Sequence, residues 1–527
     1  MPKLIHEFIN YSSNRTPNAI ALIHKKQSIK YHELRDNIAL LGNALCSLGI
    51  ASGERVAIYL PKRLETVVSF FSSSYAGAVF VPINPLLKPE QVAYILKDCN
   101  VRILITSHDR LSQLQNCLLD CHDLMSVIDV NNKFTPTDEQ QLNVHHYNNL
   151  LSLDTSDVTP HRRIDSDIAA ILYTSGSTGK PKGVVLSHKN MVSGAKSVAE
   201  YLENTSDDNL LAVLPFSFDY GLSQLTTAFH VGAKVTLLDY LLPRDIVKTV
   251  EKYGVTGLAG VPPLWNQLAQ LEWGENAPKT LRYISNSGGA MPGATLKTLR
   301  RSLPSTKPYL MYGLTEAFRS TYLPPEEIDK RPTSIGKAIP NAKVMVVRED
   351  GSPCAPGEPG ELVHRGSLVS LGYWNDPQKT AEHFKPAPQK ENGLTLTEIA
   401  VWSGDTVKMD EEGYLYFVSR KDDMIKTSGY RVSPTEIEEV IYATGLVAET
   451  AALGLPHPML GQAIVIIATT STDSTANELL QECKKDLPNF MLPTHIEFIE
   501  KMPKNPNGKI DRKILAQQYQ SLFQDIN

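Results

Sequence analysis

Residues 173–183 read Tyr-Thr-Ser-Gly-Ser-Thr-Gly-Lys-Pro-Lys-Gly and lie between two apolar runs, 168–173 and 184–186. No other stretch constrains the chain as much. The flanking runs are short, bounded by turn signals, and read as buried strands. Between them Thr174, Ser175, Ser177 and Thr178 supply hydroxyls. Gly176, Gly179 and Gly183 permit close backbone approach, and Lys180 and Lys182 add positive charge. Successive N–H groups in such a loop form an anion-binding concavity, which suits a phosphate chain. It is not a Walker loop, because only Ser177 and Thr178 separate Gly176 from Gly179 and Pro181 follows Lys180. Pro181 lacks an amide donor and blocks helix continuation, so no helix N-terminus opens here. The expected unit is strand, phosphate flap, strand.

A chain of 527 residues exceeds one compact core, so two or more domains are expected. Net charge is −5 without a block of like charges, which argues against a nucleic-acid surface. Residues 1–18 contain no apolar signal core. The most apolar long segment, 67–81, is interrupted by serines and too short to span a bilayer. The six cysteines are scattered. Cys117 and Cys121 lie one helical turn apart, but no second Cys/His pair with ligand spacing accompanies them, so reduced buried thiols are expected. A cytoplasmic location fits this pattern.

Taken in order, residues 1–60 read as a helix, a hairpin and an amphipathic helix over 31–48, with Leu34, Ile38, Leu41, Ala44 and Leu45 on one face. Strands at 56–60, 78–82 and 103–106 alternate with helices at 65–75 and 88–97, the pattern of βαβ units in a mainly parallel sheet. Residues 130–165 are polar with little periodicity and read as a variable connection. A second βα series follows the loop and runs to about residue 323. From Gly336 short strands separated by Pro/Gly turns suggest a small β-barrel or meander. After Arg420 a compact α+β module remains.

Five further stretches carry candidate chemistry. Ser287-Gly288-Gly289 follows a predicted strand at 281–285 and can approach a flat ligand closely. Residues 311–316, Met-Tyr-Gly-Leu-Thr-Glu, bring together an aromatic ring, a hydroxyl and a carboxylate suited to a hard cation. Trp402-Ser-Gly-Asp405 places a carboxylate after a Gly turn, where it can accept both hydroxyls of a ribose. Residues 419–436 combine Arg420, Asp422, Lys426, Ser428 and Gly429. Finally, Asn505-Pro-Asn-Gly-Lys509 presents a lysine after an Asn-Gly turn.

In this order, and together with the 173–183 loop, these stretches resemble the adenylate-forming superfamily of acyl-CoA synthetases, luciferases and peptide-synthetase adenylation domains. The likeness covers essentially the whole chain. It implies an α/β fold: a large N-terminal AMP-binding domain over 1–421 with βαβ-type sheets and a small β-barrel-like subdomain. A small mobile α+β domain over 423–527 would follow, with Asp422 as hinge. By the same resemblance the 174–180 loop handles the β- and γ-phosphates of ATP, with Lys182 beside it. Gly288 and Gly289 lie against adenine, Tyr312 stacks on it next to Gly313, and Thr315 bonds the α-phosphate. Glu316 holds Mg²⁺, Asp405 and Arg420 take the ribose, and Lys509 is the adenylation lysine. Lys426, Ser428 and Gly429 belong to the loop that faces the thiol. One departure is Ser419 before Arg420, where many members carry Gly.

The expected reaction converts a carboxylate to an acyl-adenylate and passes it to a phosphopantetheine thiol, on a free-standing carrier protein or on CoA. Substrate class rests on residues 214–219, Leu-Pro-Phe-Ser-Phe-Asp. A buried carboxylate is costly unless paired. The ammonium of an amino acid would pair Asp219, which favours an amino acid over a fatty or other organic acid. The resemblance also directs Tyr220, Ser223, Gly260, Ser287, Met311, Arg319 and Ser320 to the acyl pocket. Arg319 has two readings: it holds a second carboxylate of the substrate, or it turns outward into an ion pair.

Overall fold

The computed structural model describes residues 2–133, 143–174, 181–289, 291, 293–389, 393–420, 425–432, 434–470, 474–503 and 510–524. Three sheets organise them. The first has seven strands in the order Asn143–His146, Ser126–Asp129, Val101–Thr106, Arg55–Tyr59, Val79–Pro82, Ile168–Thr174, Lys182–Ser187. All its neighbours are parallel except the last pair, which is antiparallel with Thr174 opposite Lys182. The flap therefore connects two adjacent strands, as the Pro181 argument requires. The polar stretch read as an irregular connection contributes the strand Asn143–His146 and the short helix Tyr147–Leu151. Their few apolar positions left no periodicity to detect; pairing with Ser126–Asp129 makes the strand.

The second sheet contains a parallel run whose order is Lys307–Tyr312, Tyr283–Asn286, Gly257–Gly260, Asn209–Ala212, Lys234–Leu237, Ile20–His24. The strand Gln27–Lys30 pairs antiparallel at one end. At the other, the short strands of residues 321–420 continue the sheet through Thr321–Leu323 and Ser334–Ala338. The small β region is thus hydrogen-bonded onto the large domain.

Two helices, Leu64–Ala76 and Asp219–Val231, are buried along nearly their whole length. Their apolar residues run around the helix instead of forming a stripe, which is the sequence mark of a helix covered on all sides. They meet edge to face at Phe71 and Phe229, with ring centroids 5.3 Å apart. Each such fully buried ring contributes about 1.5–3 kcal/mol. This packing fixes the first turn of Asp219–Val231, from which the candidate site is built.

The third sheet holds Tyr430–Val432, Ile425–Thr427, Gly461–Thr470 and Val447–His457, with His495–Phe498 parallel to Gly461–Thr470. Apolar clusters cover both of its faces, one around Ile437 and Ile466 and one around Leu453 and Leu515. Polar contacts join this module to the rest: Gln91 Nε2 donates to Glu436 Oε1 at 3.3 Å, and Asn266 Nδ2 to the Pro458 carbonyl at 2.7 Å.

Candidate active site

A cleft opens where the three sheets meet. Its wall includes Thr174 and Lys182 from the first, Ser287, Gly288 and Gly313–Glu316 from the second, and Gly429–Arg431 from the third. Among the described residues no group of three or more His, Cys, Asp and Glu side chains could hold a metal by itself.

Asp219 enters this wall through a local device. Pro215 accepts from the Phe218 amide at 3.2 Å, and the helix begins at once. A Cβ on Gly221 would stand 2.0 Å from the Pro215 carbonyl oxygen, so only glycine allows the turn to fold under itself. Asp219 occupies the first helical turn, where the helix dipole favours a carboxylate. It is 3% exposed. Thr315 Oγ1 donates to its Oδ1 and Arg319 Nη1 to its Oδ2, each at 3.4 Å, long for hydrogen bonds. Burial raises the proton affinity of Asp219, the Arg319 charge opposes this, and the Glu316 charge adds to it.

Arg319 itself is 2% exposed, and its Cζ lies 4.5 Å from the centroid of the Tyr220 ring. Arg319 thus points inward, and its partner there is Asp219. The pairing argument that invoked a substrate ammonium is answered here by a cation from the chain. The backbone turns sharply to aim this side chain. Phe318 has φ +55° and ψ −42°, and the Arg319 amide donates to the Ala317 carbonyl at 2.6 Å. That is a γ-turn of the positive-φ form with a bulky residue at its centre, a rare and strained arrangement. Such strain costs on the order of 1–3 kcal/mol. The buried Phe318 ring, which fills the space a Cβ on Gly194 would take, holds it in place.

The nucleotide side is equally specific. Glu316 Oε1 accepts from the Tyr373 hydroxyl at 2.7 Å. Lys182 Nζ stands 5.7 Å from the centroid of the Tyr373 ring. Burial lowers the Lys182 proton affinity and the neighbouring Lys379 charge lowers it further, while Asp376 and Glu316 restore part. The Tyr312 hydroxyl donates a short hydrogen bond to Asp405 Oδ2. Arg420 is Asp405's register partner across antiparallel strands. Gly289 accepts from Asn286 Nδ2 at 2.9 Å.

The third sheet closes the cleft through its 426–429 loop. The Ser428 amide donates to the Leu460 carbonyl at 2.9 Å, and the Lys426 amide to Gln462 Oε1 at 2.7 Å. Gly429 has φ +81°, and a Cβ there would stand 2.6 Å from Val261 Cγ2. Its carbonyl faces Gly288.

Five residues expected at the acyl pocket do not border the cleft. Tyr220 lies beneath Arg319 and bonds Ser285 Oγ at 2.7 Å, while Ser223 bonds Thr227. Gly260 packs on Trp265, Met311 Sδ accepts from the Tyr201 hydroxyl at 3.0 Å, and Ser320 bonds His364 Nδ1 at 2.9 Å. Each is engaged internally in this arrangement. Ser175, Gly176, Ser177, Thr178, Gly179, Lys180, Asp422 and Lys509 lie outside the described residues. Conversely, Tyr373, Lys379, His383, Tyr430 and Phe490 line the cleft without having been singled out. Tyr430 and Phe490 stack with centroids 3.9 Å apart. The adjacent aromatics Tyr373-Trp374 were the one sequence signal available for this group.

Comparison with known proteins decides the family. The AMP-binding enzyme family matches residues 9–374, and the AMP-binding enzyme C-terminal domain matches residues 436–509. This chain belongs to the AMP-binding enzyme family. It is an AMP-forming adenylating ligase. It is 31% identical to a long-chain-fatty-acid–CoA ligase of Escherichia coli O157:H7, over 89% of this chain and 86% of that one. It is 29% identical to a linear gramicidin synthase of Brevibacillus parabrevis, over 97% of this chain. The chain spans only 6% of that synthase. The amide bond synthetase McbA of Marinactinospora thermotolerans shares the fold, with a TM-score of 0.84 at 22% identity and coverage of 97% and 99% of the two chains. Among the described residues no helix is long and apolar enough to cross a membrane.

Proposed function

We propose that this AMP-binding enzyme activates a short polar carboxylic acid, with an amino acid as the favoured class, and transfers the acyl group to a phosphopantetheine thiol. The observation that carries the reading is the buried Asp219–Arg319 pair, one contact from Thr315 in the same cleft wall as Lys182 and Glu316. A charged pair at the acyl end suits a polar substrate, whereas an alkyl chain offers neither ion a partner.

A substrate carboxylate oxygen attacks the α-phosphorus of ATP, the bond to the β-phosphate oxygen breaks, and pyrophosphate leaves. Thr315 bonds the α-phosphate, and Lys182 with the 174–180 loop (Thr174, Ser175, Gly176, Ser177, Thr178, Gly179, Lys180) holds the departing phosphates. Lys509 neutralises charge at the attacking oxygen, the dominant contribution in such chemistry. Glu316, oriented by Tyr373, would hold Mg²⁺, which shields phosphate charge when bound; one carboxylate with phosphate oxygens fits this hard cation. Gly288, Gly289, Tyr312 and Gly313 receive adenine, and Asp405 and Arg420 the ribose. The thiol then gives up its proton, its sulfur attacks the acyl carbon, and the acyl–oxygen bond breaks as AMP leaves with that oxygen. Domains 1–421 and 423–527 turn about Asp422 between the steps, exchanging Lys509 for the 426–429 loop. The packing of Gly429 against Val261 and Gly288 suits the second step.

A second reading is an acyl-CoA synthetase for another organic acid. It is favoured by Arg319 supplying the cation that a substrate ammonium would otherwise bring to Asp219. ATP–pyrophosphate exchange over the amino acids, short organic acids and fatty acids, followed by acyl loading of CoA or a carrier protein, separates the two. Exchange with fatty acids alone overturns the polar-substrate reading. Lys509→Ala is expected to abolish adenylation, and undiminished exchange would remove that lysine from the mechanism.

A further inference from the structure

Arg319 is only partly used by the protein. Nη1 meets Asp219 Oδ2 at 3.4 Å, and the guanidinium lies over Tyr220. Nε and Nη2 have no hydrogen-bond acceptor among the described residues, and both are shielded from solvent. The Tyr201 hydroxyl, which donates to Met311 Sδ, is near enough for the Arg319 guanidinium to act on it by charge and as a weak hydrogen-bond donor. Buried guanidinium donors are ordinarily satisfied, and a parallel pair with no well-formed acceptor is an exception that calls for one. Nε and Nη2 form the edge that matches two oxygens of a planar anion. Arg319 also borders the cleft, beside Gly313 and Ser287, and a strained γ-turn is maintained to aim it there. To receive a ligand from the cleft, that edge has to turn about the terminal torsions, away from the long contact to Asp219.

Building on the adenylation reading, we propose that the acyl substrate is a short dicarboxylic acid, with or without an amino group, whose second carboxylate is received by the Nε–Nη2 edge of Arg319. Asp219 then acts as the counter-ion that holds the empty guanidinium and can take an ammonium where the substrate has one. The spacer is short because Thr315, Asp219 and Arg319 follow one another at 3.4 Å steps. Malonate, succinate, glutarate, aspartate and glutamate are the corresponding probes.

The test compares matched acids in ATP–pyrophosphate exchange with the full chain: succinate against butyrate and succinamate, and aspartate against 2-aminobutyrate and asparagine. Diacids are expected to exceed their partners in kcat/KM by on the order of a hundredfold or more, as for a site built to bond a group its competitor lacks. Arg319→Met should erase that preference. Because this variant leaves Asp219 unpaired, Asp219→Asn/Arg319→Met is examined beside it. A second readout, the rise in Tm with each acid and a non-hydrolysable ATP analogue, does not require turnover. Equal use of the monoacids or neutral amides, or a preference that survives Arg319→Met, overturns the inference while leaving adenylation intact. Arg319-dependent stabilisation by diacids without exchange keeps the carboxylate subsite at Arg319 and overturns the diacid as the acyl substrate. Silence in both assays for every diacid overturns the inference as well.

Discussion

At the residue scale the site turns on one buried ion pair. Removing one partner strands the other charge, which typically costs about 3–5 kcal/mol, whereas replacing both by apolar groups is often near neutral. Asp219→Ala is therefore expected to lower the unfolding free energy measured in urea by an amount in that range, and Asp219→Leu/Arg319→Met to recover most of it. Equal losses in both variants would show that packing, not charge, sets the cost. The two residues are 100 positions apart in the chain. Asp219 stands out in sequence because a carboxylate interrupts an apolar run, and Arg319 because a cation follows Glu316 by three residues. That they pair depends on a turn under Pro215, which Gly221 permits, and on a γ-turn at Phe318, which has no residue signature.

At the scale of elements, the 426–429 loop is the part whose geometry predicts a selective defect. Gly429 is left-handed and its missing Cβ makes room for Val261. A side chain in that conformation costs about 1–2 kcal/mol, before the contact with Val261 is counted. Gly429→Ala is thus expected to slow thioester formation by on the order of tenfold while leaving pyrophosphate exchange nearly unchanged. Single-turnover measurement of each half-reaction decides it, and an equal drop in both would remove the loop from the second step. The βα alternation and the strand–flap–strand unit were both legible, since they follow from periodicity and local chemistry. The strand Asn143–His146 was not, because its identity comes from its neighbour's hydrogen bonds.

At the scale of the whole molecule, two fully buried imidazoles make stability depend on pH. Burial holds His188 down to about 3 and His364 down to about 4, from 6.5. Between pH 7 and pH 5 the unfolded chain takes up protons at both and the native chain does not, so acidification favours unfolding. The two sites together should remove roughly 3–4 kcal/mol of stability over that interval. Chemical denaturation at the two pH values measures it, and His364→Gln should shrink the difference by about half. A pH-independent midpoint would contradict neutral burial of these side chains.

The motifs alone determined the chemistry, because phosphate, ribose and cation each demand particular donors at close spacing, and close spacing survives in one dimension. They also determined the family and the order of its parts. What the acyl group meets was decided only by the tertiary structure. Asp219 and Arg319 come to face each other because strands Asn209–Ala212 and Lys307–Tyr312 lie in one parallel run that carries the turns after them to one cleft, and the low dielectric there compels each charge to find its partner.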